Sequence, residues 1–372
     1  MTPTPGPAGV VRVWDVGVRV CHWGIVAAVA LAALTGFVLG RTALTWHLVA
    51  GVTMLVAVVW RVVWGLLGPT YARFSSFAYR PAVVVTHLRD LIDGRHRRYL
   101  GHNPLGAMMV FALLVVLAAL TLSGTAALGG LLKQGPLRAL LSYRAGRSWL
   151  GIHNGLAIAL LVMIGAHVMG VAVESWRGRE NLVAAMLSGD KPRTPPAEGA
   201  AGRFARPRLA VALMLAVLGV GGAGVTALLA ARPGSGVPPA TLDPIFAEQC
   251  GACHLAFPPS LAPAATWNAI LADLGHHFGA DATLSPEQVA HLRRWLDANA
   301  AGHWDTLPAH LLRAAAANGS LRITDTPGWQ RLHRHIPAAV FTAKPVYRRS
   351  ACEACHADAA SGRFAPQDIA MP

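Results

Sequence analysis

Residues 151–170 read GIHNGLAIALLVMIGAHVMG, an apolar stretch of the length that one membrane-crossing helix requires. Two histidines, His153 and His167, interrupt this stretch 14 residues apart. Fourteen residues are close to four helical turns, so both side chains point the same way, about 21 Å apart along the axis. An unpaired polar group inside a bilayer is costly, so histidines in such a helix indicate a functional role.

Four other apolar runs have a similar length. The five runs are Val18–Leu39, Leu44–Leu67, Leu105–Leu128, Trp149–Val173 and Leu209–Ala231. The chain of 372 residues is 54% hydrophobic and 13% charged, whereas about a quarter of the residues are charged in an ordinary soluble protein. Buried core helices are the alternative for a single run, but five runs separated by basic loops predict five membrane spans. The first run is too long for a signal peptide, so we expect it to be retained.

The net charge of +14 raises the question of a nucleic-acid partner. From Arg232 onward, however, 11 basic and 11 acidic residues cancel, so the excess belongs to the membrane half and we expect no nucleic-acid binding. The N-terminal region up to Arg19, the loop Arg61 to Arg98 and the segment Arg177 to Arg208 together hold 16 basic residues, against five in the other two loops. The positive-inside rule then predicts a multi-pass protein of a bacterial inner membrane, with a cytoplasmic N-terminus and a periplasmic C-terminal domain.

Four of the five cysteines form two copies of the motif C-x-x-C-H. The copies are Cys250, Cys253 and His254, and Cys352, Cys355 and His356. Two thiols at this spacing can form thioether bonds to the vinyl groups of a haem, and the histidine that follows can reach the iron. A four-cysteine zinc site needs no histidine there, and a thioredoxin-like thiol pair needs a βαβ setting that this sequence does not show. The motifs therefore predict two covalent c-type haems.

The second axial ligand of each c-type iron is expected to be histidine, because no methionine occurs in this domain before Met371. The stretches CGACHLAFPPSLAPAATWNAILADLGHHFG, WQRLHRHIP and CEACHADAASGRF resemble the dihaem cytochrome c family, which in bacteria is often linked to a small oxygen-binding haem protein. The resemblance implies that His277 and His333 are the distal ligands. The neighbouring His276 and His335 leave this assignment open by one or two residues, and the sequence does not say which distal histidine serves which haem.

The predicted topology places four intramembrane histidines at two levels. His22 and His167 lie at the inner level, and His47 and His153 at the outer level. Each level then offers two histidines from different helices, enough for one non-covalent b-type haem. The alternative is that each histidine only hydrogen-bonds a neighbouring helix.

The same residues lie in the pieces RVWDVGVRVCHW, TWHLVAG, RRYLGHNPLGAMMVF and GIHNGLAIALLVMIGAHVMG. These pieces resemble the bacterial cytochrome b561 family and the related cytochrome b subunits of nickel-iron hydrogenases. The resemblance implies that these four histidines bind two haems and that quinol is the electron partner in the lipid bilayer. His102 is expected to be structural or to contact a haem propionate, and Cys21 to be a packing residue.

We predict an all-α fold with three parts. Residues 1–180 are a four-helix membrane bundle, residues 181–240 a linker and a fifth tethering span, and residues 241–372 a small, mostly helical dihaem cytochrome c domain. Pro- and Gly-rich composition predicts that residues 191–208 and 232–240 are flexible.

Three function classes fit this organisation to different degrees. The first is a quinol:cytochrome oxidoreductase that moves electrons from the quinone pool through four haems to a soluble periplasmic cytochrome or other haem protein. The second is an electron-transfer subunit that lacks a quinone site and serves a separate dehydrogenase. A haem-based sensor would need an open coordination position and an output domain, and the sequence indicates neither. We expect the first class, although no quinone pocket can be assigned from the sequence.

Overall fold

The computed structural model describes residues 9–95, 97–192, 208–316 and 318–371. This described part confirms an all-α fold, with one pair of three-residue antiparallel strands, β1 (Val10–Arg12) and β2 (Asp190–Pro192). Its α-helices are α1 (Val16–Ala33), α2 (Leu44–Leu67), α3 (Pro81–Ile92), α4 (Pro104–Leu131), α5 (Tyr143–Gly178), α6 (Leu182–Ser188), α7 (Arg208–Ala231), α8 (Pro244–Gly251), α9 (Ala264–Ala272), α10 (Pro286–Asn299), α11 (Leu307–Leu312) and α12 (Pro327–His333). Most of the predicted linker 191–208 lies outside the described residues.

Five helical segments in the described residues are long and apolar enough to cross a membrane, as predicted. They are Val16–Leu39, Leu44–Leu67, Pro104–Leu131, Tyr143–Gly178 and Met214–Ala231. The first segment consists of α1 and a π-helical continuation, Leu34–Leu39. With 36 residues, α5 is about 54 Å long, which exceeds the roughly 30 Å of a hydrocarbon core. We call the end of the bundle where α4 leads into α5 the outer end.

The chain divides into two compact units. The bundle unit contains Met1–Gly40, Thr45–Gly124 and Leu150–Val225, and the outer unit contains Arg41–Leu44, Thr125–Trp149 and Thr226–Pro372. The outer ends of α4 and α5 therefore belong to the same compact unit as the C-terminal residues.

Side chains from four helices form the core of the bundle unit. Ala28 of α1, Met54 and Val58 of α2, Leu117 and Leu120 of α4, and Leu160 of α5 pack in one buried cluster. Large apolar side chains elsewhere on these helices, such as Val115 and Val162, remain exposed, as expected for surfaces that face lipid. The four spans thus form a helical bundle with an apolar exterior.

The start of α1 is fixed by Asp15. The Asp15 side chain accepts hydrogen bonds from the backbone N–H groups of Gly17 and Val18, which would otherwise lack helical partners. The same carboxylate oxygen accepts a 2.9 Å hydrogen bond from the indole of Trp64 in α2. One acidic residue therefore caps α1 and joins it to the inner end of α2.

The C-terminal residues have two apolar cores, each next to one C-x-x-C-H motif. The first core includes Phe246, Trp267, Leu292 and Leu296, with Cys250 packed against it. The second includes Leu312, Trp329, Phe341 and Val346, with Cys355 packed against it. Leu292 and Leu296, on one side of the amphipathic helix α10, are almost fully buried in the first core. Each motif thus lies beside a hydrophobic core of its own.

Candidate haem centres

The rings of His47 and His153 face each other at the outer level of the bundle unit. Their centres are 6.1 Å apart and their planes are inclined by 78°. An axial imidazole nitrogen lies about 2.0 Å from its metal and the ring centre about 1.1 Å further, so two opposed axial rings have centres about 6.2 Å apart. The spacing of this outer pair therefore fits a bis-histidine iron.

Hydrogen bonds orient both rings of the outer pair. Nδ1 of His47 lies 3.2 Å from the carbonyl oxygen of Ala32, and Nδ1 of His153 lies 3.1 Å from that of Leu120. A carbonyl oxygen can only accept, so Nδ1 is the protonated nitrogen in each ring. The lone pair is then on Nε2, which is the nitrogen available to a metal.

Two hydroxyls and two glycines complete the surroundings of the outer pair. Thr35 Oγ1 lies 3.0 Å from Nδ1 of His47, and Ser123 Oγ lies 3.3 Å from Nδ1 of His153. A methyl group at Gly36 would lie 3.3 Å from the His47 ring, and one at Gly124 would lie 3.1 Å from the His153 ring. Sequence reasoning missed these four positions, although polar Thr35 and Ser123 inside apolar spans were a usable signal.

His22 of α1 and His167 of α5 are the two histidines that the sequence predicts for the inner level. Nδ1 of His22 is buried and has no hydrogen-bond partner among the described residues. The pairing of His22 with His167 stays a prediction from the sequence.

His102 is partly buried at the inner end of the bundle. Its ring contacts Trp14 and Phe77 with centre distances of 4.8 and 4.4 Å, and its Nδ1 has no hydrogen-bond partner in the described part of the chain. Burial lowers the pKa of His102 to about 3, and the cations Arg61 and Lys191 add to this effect, so the ring is neutral. The buried Arg61, which lies over the Phe74 ring, is a second polar group of the inner end. Sequence reasoning used Arg61 only as a topology charge, although an arginine within an apolar run was a visible signal.

The C-terminal residues hold two further histidine pairs. The ring centres of His254 and His277 are 6.1 Å apart with nearly parallel planes, and those of His333 and His356 are 6.2 Å apart with planes inclined by 75°. Each pair joins the histidine of one C-x-x-C-H motif to one predicted distal histidine. Both separations again match the value of about 6.2 Å for two axial imidazoles.

The neighbours of the distal histidines are placed differently. His276 is exposed and bonds Asp273 at 2.8 Å, and His335 bonds Arg334 at 2.8 Å. Nδ1 of His333, in contrast, lies 2.8 Å from the carbonyl oxygen of Trp329, which leaves Nε2 free to bind iron. The geometry therefore favours His277 and His333 over their neighbours.

Burial shifts the pKa values of several histidines and cysteines at these two sites. It lowers the pKa of His277, His333 and His356, which favours the neutral imidazole that binds iron. It raises the pKa of Cys250 and Cys352 to about 11, so neither thiol has the thiolate character of a reactive thiol pair. All five cysteines are free of disulfides.

No set of three or more His, Cys, Asp or Glu side chains in the described ranges converges to hold a metal ion. Each candidate centre instead offers two histidines. Two axial ligands suffice for haem, because the macrocycle supplies the other four nitrogen ligands. The residues present therefore fit haem at the three pairs whose ring centres lie 6.1 to 6.2 Å apart.

Comparison with known proteins places the two halves in separate groups. Residues 13–189 match the family model for prokaryotic cytochrome b561, and residues 246–364 match the model for dihaem cytochrome c. A probable Ni/Fe-hydrogenase B-type cytochrome subunit of Cupriavidus necator is 23% identical over 210 residues, which cover 48% of this chain and 85% of that protein.

Solved structures of dihaem cytochromes c match the C-terminal part. One from Rhodobacter sphaeroides is 34% identical, covers 33% of this chain and 96% of its own, and has a TM-score of 0.29. One from Shewanella baltica is 30% identical, covers 36% of this chain and 95% of its own, and also has a TM-score of 0.29.

Proposed function

The chain belongs to the prokaryotic cytochrome b561 family over residues 13–189 and to the dihaem cytochrome c family over residues 246–364, and we propose that it carries electrons from the quinone pool to a soluble periplasmic acceptor. Haem-based electron transfer in a membrane follows from the two families. The observation that supports the longer route is the set of four histidine pairs, two in the bundle unit and two in the outer unit. We assign one haem to each pair, two of type b and two of type c.

In this proposal each haem supplies reversible one-electron chemistry at its iron. The outer pair holds one b haem and the inner pair the other, whereas His254 with His277 and His333 with His356 hold the c haems on Cys250, Cys253, Cys352 and Cys355. The carbonyl groups of Ala32 and Leu120 accept hydrogen bonds from Nδ1 of His47 and His153, which fixes the ring planes and raises the basicity of Nε2. The apolar residues around a haem site control the access of solvent and thereby the potential of the haem.

The domain division and the orientation belong to the same proposal. Residues 1–180 form the b-haem domain, residues 181–240 the linker and fifth span, and residues 241–372 the c-haem domain. The N-terminus is placed on the cytoplasmic side of a bacterial inner membrane, because basic residues are concentrated in the sequence before the first span, between the second and third spans, and after the fourth. Protease added to intact spheroplasts is then expected to cleave the C-terminal domain and to spare the loop containing Arg95 and Arg98.

The similarity to a hydrogenase cytochrome subunit favours a second candidate, in which the electrons come from a separate redox enzyme and not from quinol. The two candidates differ in what reduces the isolated protein. To distinguish them, the purified four-haem protein is mixed anaerobically with a reduced quinol analogue. The absorption bands of the haems then report their reduction. Rapid reduction of all four haems supports the quinol route, whereas reduction by dithionite alone contradicts it.

A matched variant tests the order of the haems in the same assay. The variant His47→Ala lacks one ligand of the outer b haem, so we expect quinol to reduce the inner haem but no longer the c haems. Both c haems should remain attached and reducible by dithionite. Quinol-driven reduction of the c haems at the wild-type rate in this variant would show that the outer b haem is not on the route.

A further inference from the structure

Lys133 follows α4 in the loop that leads to α5, and its side chain is only 2% exposed. Its Nζ lies 2.9 Å from the carbonyl oxygen of Leu141, 3.4 Å from Oγ of Ser235 and 2.9 Å from Oδ2 of Asp305. A lysine ammonium has three N–H donors, so every donor has an acceptor. The acceptors come from three segments: the α4–α5 loop, the residues after α7, and the residues before α11. A buried charge is tolerated only when it is paired in this way.

Both carboxylate oxygens of Asp305 also have hydrogen-bond partners. Its Oδ2 accepts from Lys133 and from the backbone N–H of Tyr143 at 2.7 Å, and its Oδ1 lies 2.8 Å from Nε2 of His310. Burial alone would raise the pKa of Asp305, but the hydrogen bonds from His310, Lys133 and Tyr143 outweigh it and hold the pKa below its usual value. The Tyr143 ring also stacks on His310, with centres 4.1 Å apart. Tyr143 is the first residue of α5, the helix that carries His153 ten residues later.

Backbone hydrogen bonds connect the same three segments. Ser235 donates its N–H to the carbonyl oxygen of Arg138 at 3.0 Å, and Asp305 donates its N–H to that of Gly236 at 2.8 Å. Gly236 has a φ of 62°, and a methyl group there would lie 2.5 Å from Cβ of Asp305. Arg363, next to the second haem motif, donates to the carbonyl oxygen of Lys133 at 3.1 Å. Composition predicts that residues 232–240 are a flexible linker. In the structure, however, the centre of this segment is hydrogen-bonded both to the α4–α5 loop and to Asp305.

We propose that Lys133 is a positioning residue that fixes the dihaem domain to the outer ends of α4 and α5, so that electrons leave the b haems through a permanently docked acceptor. This inference rests on the proposed function, because it concerns the step from the outer b haem to the c haems. A domain on a flexible tether must bind the outer ends of α4 and α5 again before each electron transfer. A domain held by Lys133 and Asp305 stays bound to them between transfers. The ion pair is suited to this role, because Lys133 is buried and removing Asp305 leaves the lysine charge without compensation.

Hydrogen exchange of the full-length four-haem protein in detergent tests the docking without any use of quinol. The amides of Tyr143, Ser235 and Asp305 donate the hydrogen bonds described above, so we expect them to be protected. In Lys133→Met and Asp305→Asn their exchange is expected to be at least about tenfold faster, with unchanged haem content. Asp297→Asn is the matched control, because Asp297 bonds Asn268 within the C-terminal domain and does not touch the loop. Unprotected amides in the wild-type protein, or equal protection in all variants, would overturn the proposal.

Stopped-flow reduction with a quinol analogue measures the consequence for electron transfer. In Lys133→Met and Asp305→Asn the b haems are expected to be reduced at the wild-type rate and the c haems about tenfold or more slowly, with the potentials of all four haems unchanged. The double variant is expected to be no slower than the single ones, because the two side chains act through one contact. Equal c-haem rates in wild type and variants contradict the inference. A wild-type protein whose b haems quinol does not reduce contradicts the proposed function instead, and the exchange measurement still decides the docking.

Discussion

Replacing Gly124 by alanine should disturb the outer b-haem site more than any other single methyl group in the bundle. The new Cβ would lie 3.1 Å from Cε1 and 3.3 Å from Nδ1 of His153, whereas ordinary van der Waals contact begins near 3.4 Å. The ring must therefore move by roughly 0.3 Å, which exceeds the tolerance of about 0.2 Å for a metal–ligand bond. The ring cannot easily retreat, because Nδ1 is hydrogen-bonded to Leu120. We expect loss of the outer b haem or a clear shift of its potential.

Two other glycines give a graded comparison. A methyl group at Gly36 would lie 3.3 Å from the His47 ring, so Gly36→Ala should have a milder effect. Gly155 is on α5 two residues after His153, and a methyl group there meets nothing within 4 Å. Gly155→Ala should keep both b haems and stabilise the helix by up to about 1 kcal/mol. Pyridine haemochrome content, redox titration of the b haems and thermal unfolding measure the three variants. A Gly124→Ala protein with two b haems of unchanged potential would refute this account of the outer site.

Three further predictions concern the haem content, the pairing and the pH dependence of the docking. Acid–acetone extraction is expected to release two b haems and to leave two c haems on the chain, in equal amounts by the pyridine haemochrome assay; zinc in place of covalent haem would contradict the assignment. Alanine at either histidine of the inner pair should remove one b haem and alanine at either histidine of the outer pair the other, as followed by low-temperature absorption spectra. Identical spectral losses from His22→Ala and His47→Ala would disprove the two levels. Because the folded protein holds the pKa of Asp305 below its usual value near 4, the stabilisation from its carboxylate is complete above that pH and is lost as the pH falls through the folded-state pKa. The exchange protection of the Tyr143 amide should decline over the same range, whereas protection that is constant down to full protonation would argue against a role for the carboxylate.

Much of the architecture could be predicted because it depends on local patterns. Apolar length gives the spans, and the helical period places His153 and His167 on one face of α5. The choice between His276 and His277 could not be made in this way, because adjacent residues have the same chemistry and spacing does not say which ring turns inward. In the structure Asp273 holds the ring of His276 outside, at 2.8 Å. The antiparallel pair of β1 and β2 was also missed, because its strands are three residues long and lie about 180 positions apart in the chain.

Lys133 illustrates a different limit. In the sequence it is one of few basic residues in segments predicted to lie outside, so the positive-inside rule gives it no role, and nothing near it in the chain indicates a partner. Its acceptors Ser235 and Asp305 follow about 100 and 170 residues later, and only the folded chain brings them to its ammonium group. The exception to the charge rule was nevertheless a signal. An outer loop that keeps a lysine against the general bias needs a reason for that charge, and the ion pair of the buried Lys133 with the partly exposed Asp305 supplies one. The same reasoning extends to Arg138 in that loop, whose Nε donates a 2.7 Å hydrogen bond to the carbonyl oxygen of Arg232 where α7 ends. Basic residues on the sparsely charged side of a membrane bundle are therefore good places to look for contacts that position an attached domain.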